Sequence, residues 1–300
     1  MSRDPDRGSD AIRYWDRRNQ REQTEQVYGD AAVRFFYGTR IGQKLADSVF
    51  SRDIPSRLYG LYQSSPLSRR EIGRFIREFK IGMDEFEQED FRSFNEFFIR
   101  KFKPGLRPFV SEVGRMAAFS EARYLAYEAV PRERSVSVKG SELAPEFLLG
   151  REDIAREFDG GPALVARLCP VDYHRFHYPD DGRTWDSYRI HGRLHSVNPL
   201  ALKYRNEIFF TNERQVSLLD TRHFGRLAYV EVGAMGVGRI VQTHLQPVFE
   251  RGQEKGYFLF GASTVIVLGK PGAWTPARDL LEQTRQGRET LVRLGDALTD

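Results

Sequence analysis

Two segments of this chain carry side chains suited to proton transfer and nucleophilic attack. The first, CPVDYHRFHYPDDG (169–182), places His174 and His177 three residues apart. Imidazole exchanges protons near neutral pH, so this segment suits general acid–base chemistry. The second, KGYFLFGASTVIVLG (255–269), places Ser263 at the head of a β-branched run. Its hydroxyl could act as a nucleophile if a base lies nearby in the fold.

A metal site is the weaker interpretation of the two histidines. A spacing of three on a helix would suit a metal pair, but Pro170 and Pro179 flank the segment and disfavour a long helix. The single cysteine, Cys169, excludes an internal disulfide and a multi-cysteine metal site. The sequence therefore predicts no bound metal.

Other common site patterns are weak in this chain. Around Ser263 the GxSxG elbow of serine hydrolases is missing, and the serine alone is typical of an ordinary strand start. The run VGAMGVGRI (232–240) lacks both GxGxxG and the Walker lysine, so it favours close backbone packing. A net charge of +4 with scattered arginines does not predict nucleic-acid binding.

The composition of the chain changes near residue 105. Residues 1–25 are polar and charged and predict a loose arm, whereas 26–105 read as helical and rich in arginine and aromatics. Within that region Ser68 and Glu71 form a capping-box pattern. The helix that follows either packs its apolar face on the core or lies on a membrane as a basic amphipathic helix. The residues at issue on that face are Ile72, Phe75, Ile76 and Phe79.

Residues 106–300 contain short strand-like runs separated by Gly, Pro, Asn and Asp. Because few long helical patterns lie between them, we expect an α+β fold. It consists of an N-terminal helical region followed by a β-rich, mostly antiparallel or mixed-sheet catalytic domain. No apolar run approaches the ~18 residues of a spanning helix, and no signal peptide is recognisable, so a cytoplasmic location is the default.

Several blocks in this order resemble the phosphatidylserine decarboxylase family. The resemblance rests on FNEFFIRKFKPGLRP (94–108), the histidine segment, the glycine block, KGYFLFGASTVIVL and the final GRETLVRLGDAL, and it covers about residue 35 to the end. In this family a serine of a Gly-Ser-Thr motif cleaves its own chain and becomes a pyruvoyl group, the covalent cofactor. The matching residue here is Ser263.

The resemblance implies a role for each matched residue in self-cleavage. His177 takes the proton of Ser263, whose oxygen attacks the carbonyl of Ala262, and Glu121 orients that histidine as the acid of a triad. Elimination and hydrolysis then leave a pyruvoyl group at 263 and release ammonia. The products are fragments 1–262 and 263–300, which remain together as subunits. The sequence does not decide whether the protein forms a homodimer.

The same resemblance implies a carboxy-lyase that converts phosphatidylserine to phosphatidylethanolamine and CO₂. His174 would assist loss of the carboxylate and reprotonate the carbon. Because the substrate is a phospholipid, we expect peripheral docking at the cytoplasmic side of a membrane through the helical region 26–105, including Phe35 and Phe36.

Two positions depart from the family pattern. Glu121 stands where aspartate is usual, and Ala262 stands where glycine precedes the scissile serine. The longer acid displaces its carboxylate, and alanine enters positive φ only with strain, so maturation could be slow. Two alternatives therefore stay open. One is a pyruvoyl decarboxylase of a soluble amino acid, and the other is a lipid-binding homologue that does not mature.

Overall fold

The structure is a computed structural model of the 300-residue chain. It describes residues 12–25, 53–87, 90–130, 136–138, 141–192, 211–233, 239–261 and 263–300. The predicted docking residues Phe35 and Phe36 and the scissile-bond residue Ala262 lie outside these ranges.

The α-helices of the described part are short, and the two longest lie before residue 105. They are α1 (Asp53–Ser64), α2 (Arg69–Phe79), α3 (Phe94–Phe98), α4 (Pro145–Leu149), α5 (Glu152–Ala155) and α6 (Arg278–Arg285). Among the described residues, no helix is both long and apolar enough to cross a membrane.

Strands dominate the remainder of the described chain. They are β1 (Arg13–Asp16), β2 (Arg21–Thr24), β3 (Ala122–Val130), β4 (Val136–Val138), β5 (Ser141–Leu143), β6 (Gly161–Leu168), β7 (Arg175–His177), β8 (Gly182–Ile190), β9 (Arg214–Thr221), β10 (Gly225–Val232), β11 (Ile240–Gln242), β12 (Val248–Phe249), β13 (Glu254–Phe258), β14 (Ser263–Gly269) and β15 (Glu289–Val292).

One ten-stranded sheet organises the molecule, in the order β12-β8-β9-β10-β14-β6-β3-β15-β1-β2. Its strand pairs are antiparallel except for β1 with β15, which is parallel. A smaller sheet, β11-β13-β7, packs against one face. The α+β class with a mostly antiparallel sheet is thereby confirmed.

The central strands β6 and β14 are buried along their whole length because both faces of the sheet are covered. On one face Val165 and Ile266 pack with apolar residues of α4 and α5. On the other face Leu164 and Val265 pack with the smaller sheet and with α6. Continuous apolar runs in these strands, rather than strict alternation, follow from this double coverage.

The apolar face of α2 packs on the interior of the protein. Ile72 and Phe75 are only 7% and 4% exposed, and they join a cluster with phenylalanines of α3. Of the two interpretations of this amphipathic helix, packing on the core is the one observed. The expected capping box does not form, because the Ser68 hydroxyl accepts the Phe94 backbone N–H and the Glu71 carboxylate accepts the Tyr62 hydroxyl.

Part of the segment expected to be a loose arm lies in the main sheet. Residues 13–24 form the hairpin β1–β2, and β1 pairs with β15 near the C-terminus. Tyr14 is 8% exposed, so the hairpin has an apolar contact in addition to its ladder of hydrogen bonds. The polar composition of this segment reflects an edge strand that has one side in solvent.

A buried ion pair lies inside the core between the two sheets. The Lys255 ammonium is 2.6 Å from Glu231 Oε1, and it also donates to Gln242 Oε1 at 2.7 Å. The Lys255 and Glu231 side chains are 2% and 0% exposed. Neither charge can reach water, so each depends on the other.

Removing the cation alone should therefore destabilise the protein more than removing both charges. We expect Lys255→Met to lower the free energy of unfolding by about 3–5 kcal/mol, because it leaves a buried carboxylate unpaired. Lys255→Met combined with Glu231→Met should recover much of this loss. Urea unfolding of both variants, made in the Ser263→Ala chain, measures the difference. Equal losses in the single and double variants would contradict this account of the pair.

Candidate functional site

Ser263 is the first residue of β14 and is fully buried. Its cross-strand partner on β6 is Leu168, and its side chain points to the same sheet face as Val265. The Ser263 hydroxyl donates a long hydrogen bond of 3.5 Å to the Gly261 carbonyl. The strand pairing thus fixes where the candidate nucleophile lies, while its hydroxyl is only weakly held.

The backbone just before the candidate cleavage point has an unusual conformation. Gly261 has φ +149°, a value that glycine adopts and other residues avoid. Ala262, expected to be the strained position, lies outside the described residues. Among the described residues of this turn, position 261 is therefore the one that needs glycine, and this chain has glycine there.

His174 immediately precedes β7 and is fully buried. Its Nε2 lies 2.8 Å from the Cys169 carbonyl oxygen, which only accepts, so Nε2 carries the proton. The ring stacks on Phe98 of α3 with centroids 3.7 Å apart. Nδ1 is then an unprotonated nitrogen, and it has no hydrogen-bond partner in the described part of the chain.

His177 ends β7, and its ring has a different environment. Its Nδ1 donates to the Gly252 carbonyl at 2.9 Å, and its Nε2 lies 3.2 Å from the Tyr173 hydroxyl, which donates to it. Burial lowers the pKa of His177 to about 4 and that of His174 to about 3. Both imidazoles are therefore neutral at pH 7, as a proton acceptor must be.

Glu121 immediately precedes β3 and is bound by an arginine. Arg107 donates from Nε and Nη2 to the two carboxylate oxygens at 2.6 and 3.0 Å, and the Leu294 N–H donates at 3.3 Å. Burial raises the pKa of Glu121, and the Arg107 guanidinium opposes this rise. The bidentate geometry holds the carboxylate in one orientation.

The structure brings only some of the predicted residues together. His174 lies next to the β6 end that pairs with Ser263, because its ring is bonded to Cys169, the residue after Leu168. Within the described chain, no hydrogen bond joins His177 to Ser263 or to Glu121. The predicted triad is therefore not assembled as a hydrogen-bonded chain in this conformation.

A buried ionic cluster lies behind the turn that carries the histidine motif. Arg123 and Arg167 are cross-strand neighbours, and the Glu25 carboxylate contacts both, at 3.1 and 2.7 Å. Arg123 also donates to Asp172 at 2.5 Å, and this carboxylate accepts the Cys169 N–H at 2.7 Å. The turn that presents the Cys169 carbonyl to the neighbouring imidazole is thereby tied to the sheet.

Sequence reasoning missed several residues that shape the site. Asn95 and Phe98 of α3, Cys169 and Tyr173 all contact a candidate residue or the segment before it. The phenylalanine-rich block 94–98 indicates a buried packing contact, because so many aromatic side chains in a short run must be covered by other parts of the protein. Its partner could not be read from the sequence, since it lies more than 70 residues away.

The two buried histidines should make stability fall in acid. Their folded pKa values lie below the ordinary value of 6.5, so the unfolded chain binds protons first as the pH falls. Stability is therefore fully present above about pH 6.5 and is lost as the pH falls towards 4. Each histidine should lower the free energy of unfolding by up to about 1.4 kcal/mol for each unit by which the pH falls.

Urea unfolding of the Ser263→Ala chain between pH 4.5 and 7 measures this slope. We expect His177→Gln to make it shallower, and His191→Gln, at an exposed histidine, to serve as the matched control. Identical slopes in the His177→Gln and parent chains would show that this imidazole is not buried neutral.

Comparison with known proteins gives a consistent result. The family model described as phosphatidylserine decarboxylase matches residues 94–298. The chain is 38% identical over 289 residues to a phosphatidylserine decarboxylase proenzyme of Desulfitobacterium hafniense, an alignment that covers 95% of this chain and 97% of that protein. It is 38% identical over 293 residues to the proenzyme of Ruminiclostridium cellulolyticum, with 96% and 97% covered.

A proenzyme of the same name from Clostridium botulinum is 36% identical over 290 residues, with 96% of this chain and 98% of that protein covered. The family match spans more than half of the chain and includes Ser263 and both histidines. Together, the family match and these near full-length relatives show that the chain belongs to the phosphatidylserine decarboxylase family.

Proposed function

We propose that this chain is a self-processing enzyme that converts phosphatidylserine to phosphatidylethanolamine and CO₂. The observation that carries the proposal is the pairing of Ser263 with the β6 end next to His174, whose Nδ1 is buried without a described partner. The C-terminal end of β6 is thus linked to the nucleophile by strand pairing and to a neutral imidazole through the Cys169 carbonyl. The names of the related proenzymes support both the processing and the substrate.

Self-cleavage would use the hydroxyl of Ser263 and the imidazole of His177. The hydroxyl oxygen attacks the Ala262 carbonyl carbon, and its proton passes to His177 Nε2, which carries the lone pair because Nδ1 donates to Gly252. The C–N bond between residues 262 and 263 then breaks while His177 gives the proton to the residue 263 nitrogen, which leaves an ester and a free amine. This step requires Ser263 to release the Gly261 carbonyl and Nε2 to release the Tyr173 hydroxyl.

Glu121 is proposed to orient His177 during cleavage. Its carboxylate is paired with Arg107 in this conformation, so the role requires at least one oxygen to turn towards the imidazole. Burial favours such an exchange, because a desolvated carboxylate gains more from a developing imidazolium than an exposed one does.

The residues around position 263 fit a pyruvoyl group. The side chain at 263 is fully buried, and its cross-strand partner Leu168 precedes Cys169, whose carbonyl bonds the His174 ring. The Nδ1 of this ring has no hydrogen-bond partner among the described residues, so it offers a proton acceptor. A pyruvoyl group supplies an electron-withdrawing carbonyl that accepts the electron pair left when CO₂ departs. A bound carboxylate would raise the pKa of His174 by charge attraction, so Nδ1 could take up the proton that later returns to carbon.

Docking to a membrane is proposed to occur through α1 and the turn that follows it. Leu58, Leu61 and Leu67 are 63%, 69% and 66% exposed, and the first two lie three residues apart on one helix face. We propose this face, which belongs to the helical region 26–105, in place of Phe75, Ile76 and Phe79. Phe75 is buried, and Ile76 and Phe79 are partly buried against the same phenylalanine cluster.

The two histidines should separate cleavage from turnover. We expect His177→Ala to accumulate the uncleaved chain, and His174→Ala to cleave yet decarboxylate phosphatidylserine poorly. Ser263→Ala should be uncleaved and inactive. Denaturing gels report cleavage, and phosphatidylethanolamine formation from detergent-dispersed phosphatidylserine reports turnover. Reversed phenotypes would exchange the two roles, and full activity in both histidine variants would contradict the site.

The role of Glu121 gives a second test. Glu121→Gln keeps the size but loses the charge, so it should slow cleavage by about 100-fold or more if the carboxylate stabilises the imidazolium. Arg107→Met, which leaves the Glu121 carboxylate in place, should cleave faster than Glu121→Gln. The rate at which the fragments appear on a gel measures this. Unchanged cleavage in Glu121→Gln would remove Glu121 from the mechanism.

Membrane docking can be tested with Leu58→Ser combined with Leu61→Ser. We expect the double variant to lose most of its co-sedimentation with vesicles of phosphatidylserine and phosphatidylglycerol, because apolar insertion is lost. Leu245→Ser, at an exposed leucine between β11 and β12, is the matched control. Added salt should weaken binding of the parent chain only in part. Equal binding of the double variant and the control would exclude α1 as the docking face.

A further inference from the structure

Helix α3 contacts both sides of the candidate site. Phe98 stacks on the His174 ring at 3.7 Å, and the rings of Phe94 and Phe98 each lie 5.0 Å from that of Phe260. Phe260 belongs to the short segment between β13 and the cleavage point. A single turn of helix thus supports the imidazole and the chain that leads into the scissile bond.

Asn95 supplies the polar contact in this arrangement. It is 4% exposed, and its Oδ1 accepts the Phe260 backbone N–H at 2.8 Å. Its Nδ2 donates to the Ser64 hydroxyl of α1 at 2.9 Å. These two bonds fix which end of the amide faces which partner, because the N–H of Phe260 can only donate.

The backbone anchored by Asn95 lies two residues before Ala262. Phe260 is held by its N–H and by its ring, and Ser263 is held by the pairing of β14 with β6. The chain is therefore held by contacts at residue 260 and at residue 263. Gly261, which follows Phe260, has φ +149°, a backbone conformation that glycine adopts without strain.

We propose that Asn95 is a positioning residue for self-cleavage, which holds the Phe260 N–H so that the bond between Ala262 and Ser263 is presented to the Ser263 hydroxyl. This inference rests on the proposed self-cleavage. Its physical basis is that attack on a carbonyl needs near-contact geometry, and a displacement of about 1 Å can cost about 100-fold in rate. Asn95 would not touch the reacting atoms.

The rate of cleavage in three variants tests the proposal. Asn95→Leu has a similar size and loses both hydrogen bonds, so it should cleave about 10- to 100-fold more slowly. Asn95→Asp keeps an acceptor for the Phe260 N–H and should cleave within several-fold of the parent. Ser64→Ala loses only the outer bond and is the matched control, which should cleave at nearly the parent rate.

Hydrogen exchange of the Phe260 amide, followed by NMR in the uncleaved Ser263→Ala chain, gives a readout that needs no cleavage. Asn95→Leu should speed exchange at Phe260, and Asn95→Asp should keep it slow. Parent-like cleavage by Asn95→Leu, or unchanged exchange at Phe260 in that variant, would overturn the inference. If Asn95→Leu does not fold, slow cleavage by folded Asn95→Asp with a protected Phe260 amide would overturn it instead. A parent chain that never cleaves would refute the proposed function, while the exchange data would still report on the Asn95 contact.

Discussion

The antiparallel register between β14 and β6 is the constraint on which the candidate site depends. It places Ser263 opposite Leu168, next to the turn that carries Cys169 and His174. Because side chains alternate along a strand, a slip of one residue would turn the Ser263 hydroxyl to the opposite face of the sheet. Pairing of β14 with β10 on its other edge makes such a slip costly, since both ladders would have to shift.

The buried ionic cluster holds the turn that carries Cys169 against the sheet. Arg123 and Arg167 face each other across two strands, where like charges repel. Carboxylates of Glu25, Asp172 and Glu289 compensate them at 2.5–3.1 Å. Asp172 also accepts the Cys169 N–H, and the carbonyl of this same cysteine orients the His174 ring. The N-terminal hairpin β1–β2 is thus connected to the site through Glu25, the residue that follows β2.

The fold class could be predicted because short strand-like runs and turn residues are properties of the local sequence. The position of the amphipathic face of α2 could not, since the same pattern suits a protein core and a membrane surface. Only the tertiary contacts of Phe75 show that it is buried. The N-terminal hairpin was missed because an edge strand with polar side chains resembles a disordered segment.

The candidate site was predictable as a set of residues but not as an arrangement. His174 and His177 are three positions apart, and the structure puts His177 at the end of β7 but His174 just before that strand. The two rings accordingly bond to different partners, Cys169 in one case and Gly252 with Tyr173 in the other. The pairing of Glu121 with Arg107 depends on the path of the loop before β3, which no local pattern specifies.

We infer that this chain makes its own catalytic group at position 263. Intact mass spectrometry of the purified wild-type protein, after prolonged incubation with anionic vesicles, tests it most directly. We expect fragments 1–262 and 263–300. The small fragment should be lighter by one ammonia than a peptide that begins with serine, because its N-terminus is a pyruvoyl group. A folded protein that keeps the mass of the full 300-residue chain would contradict the account.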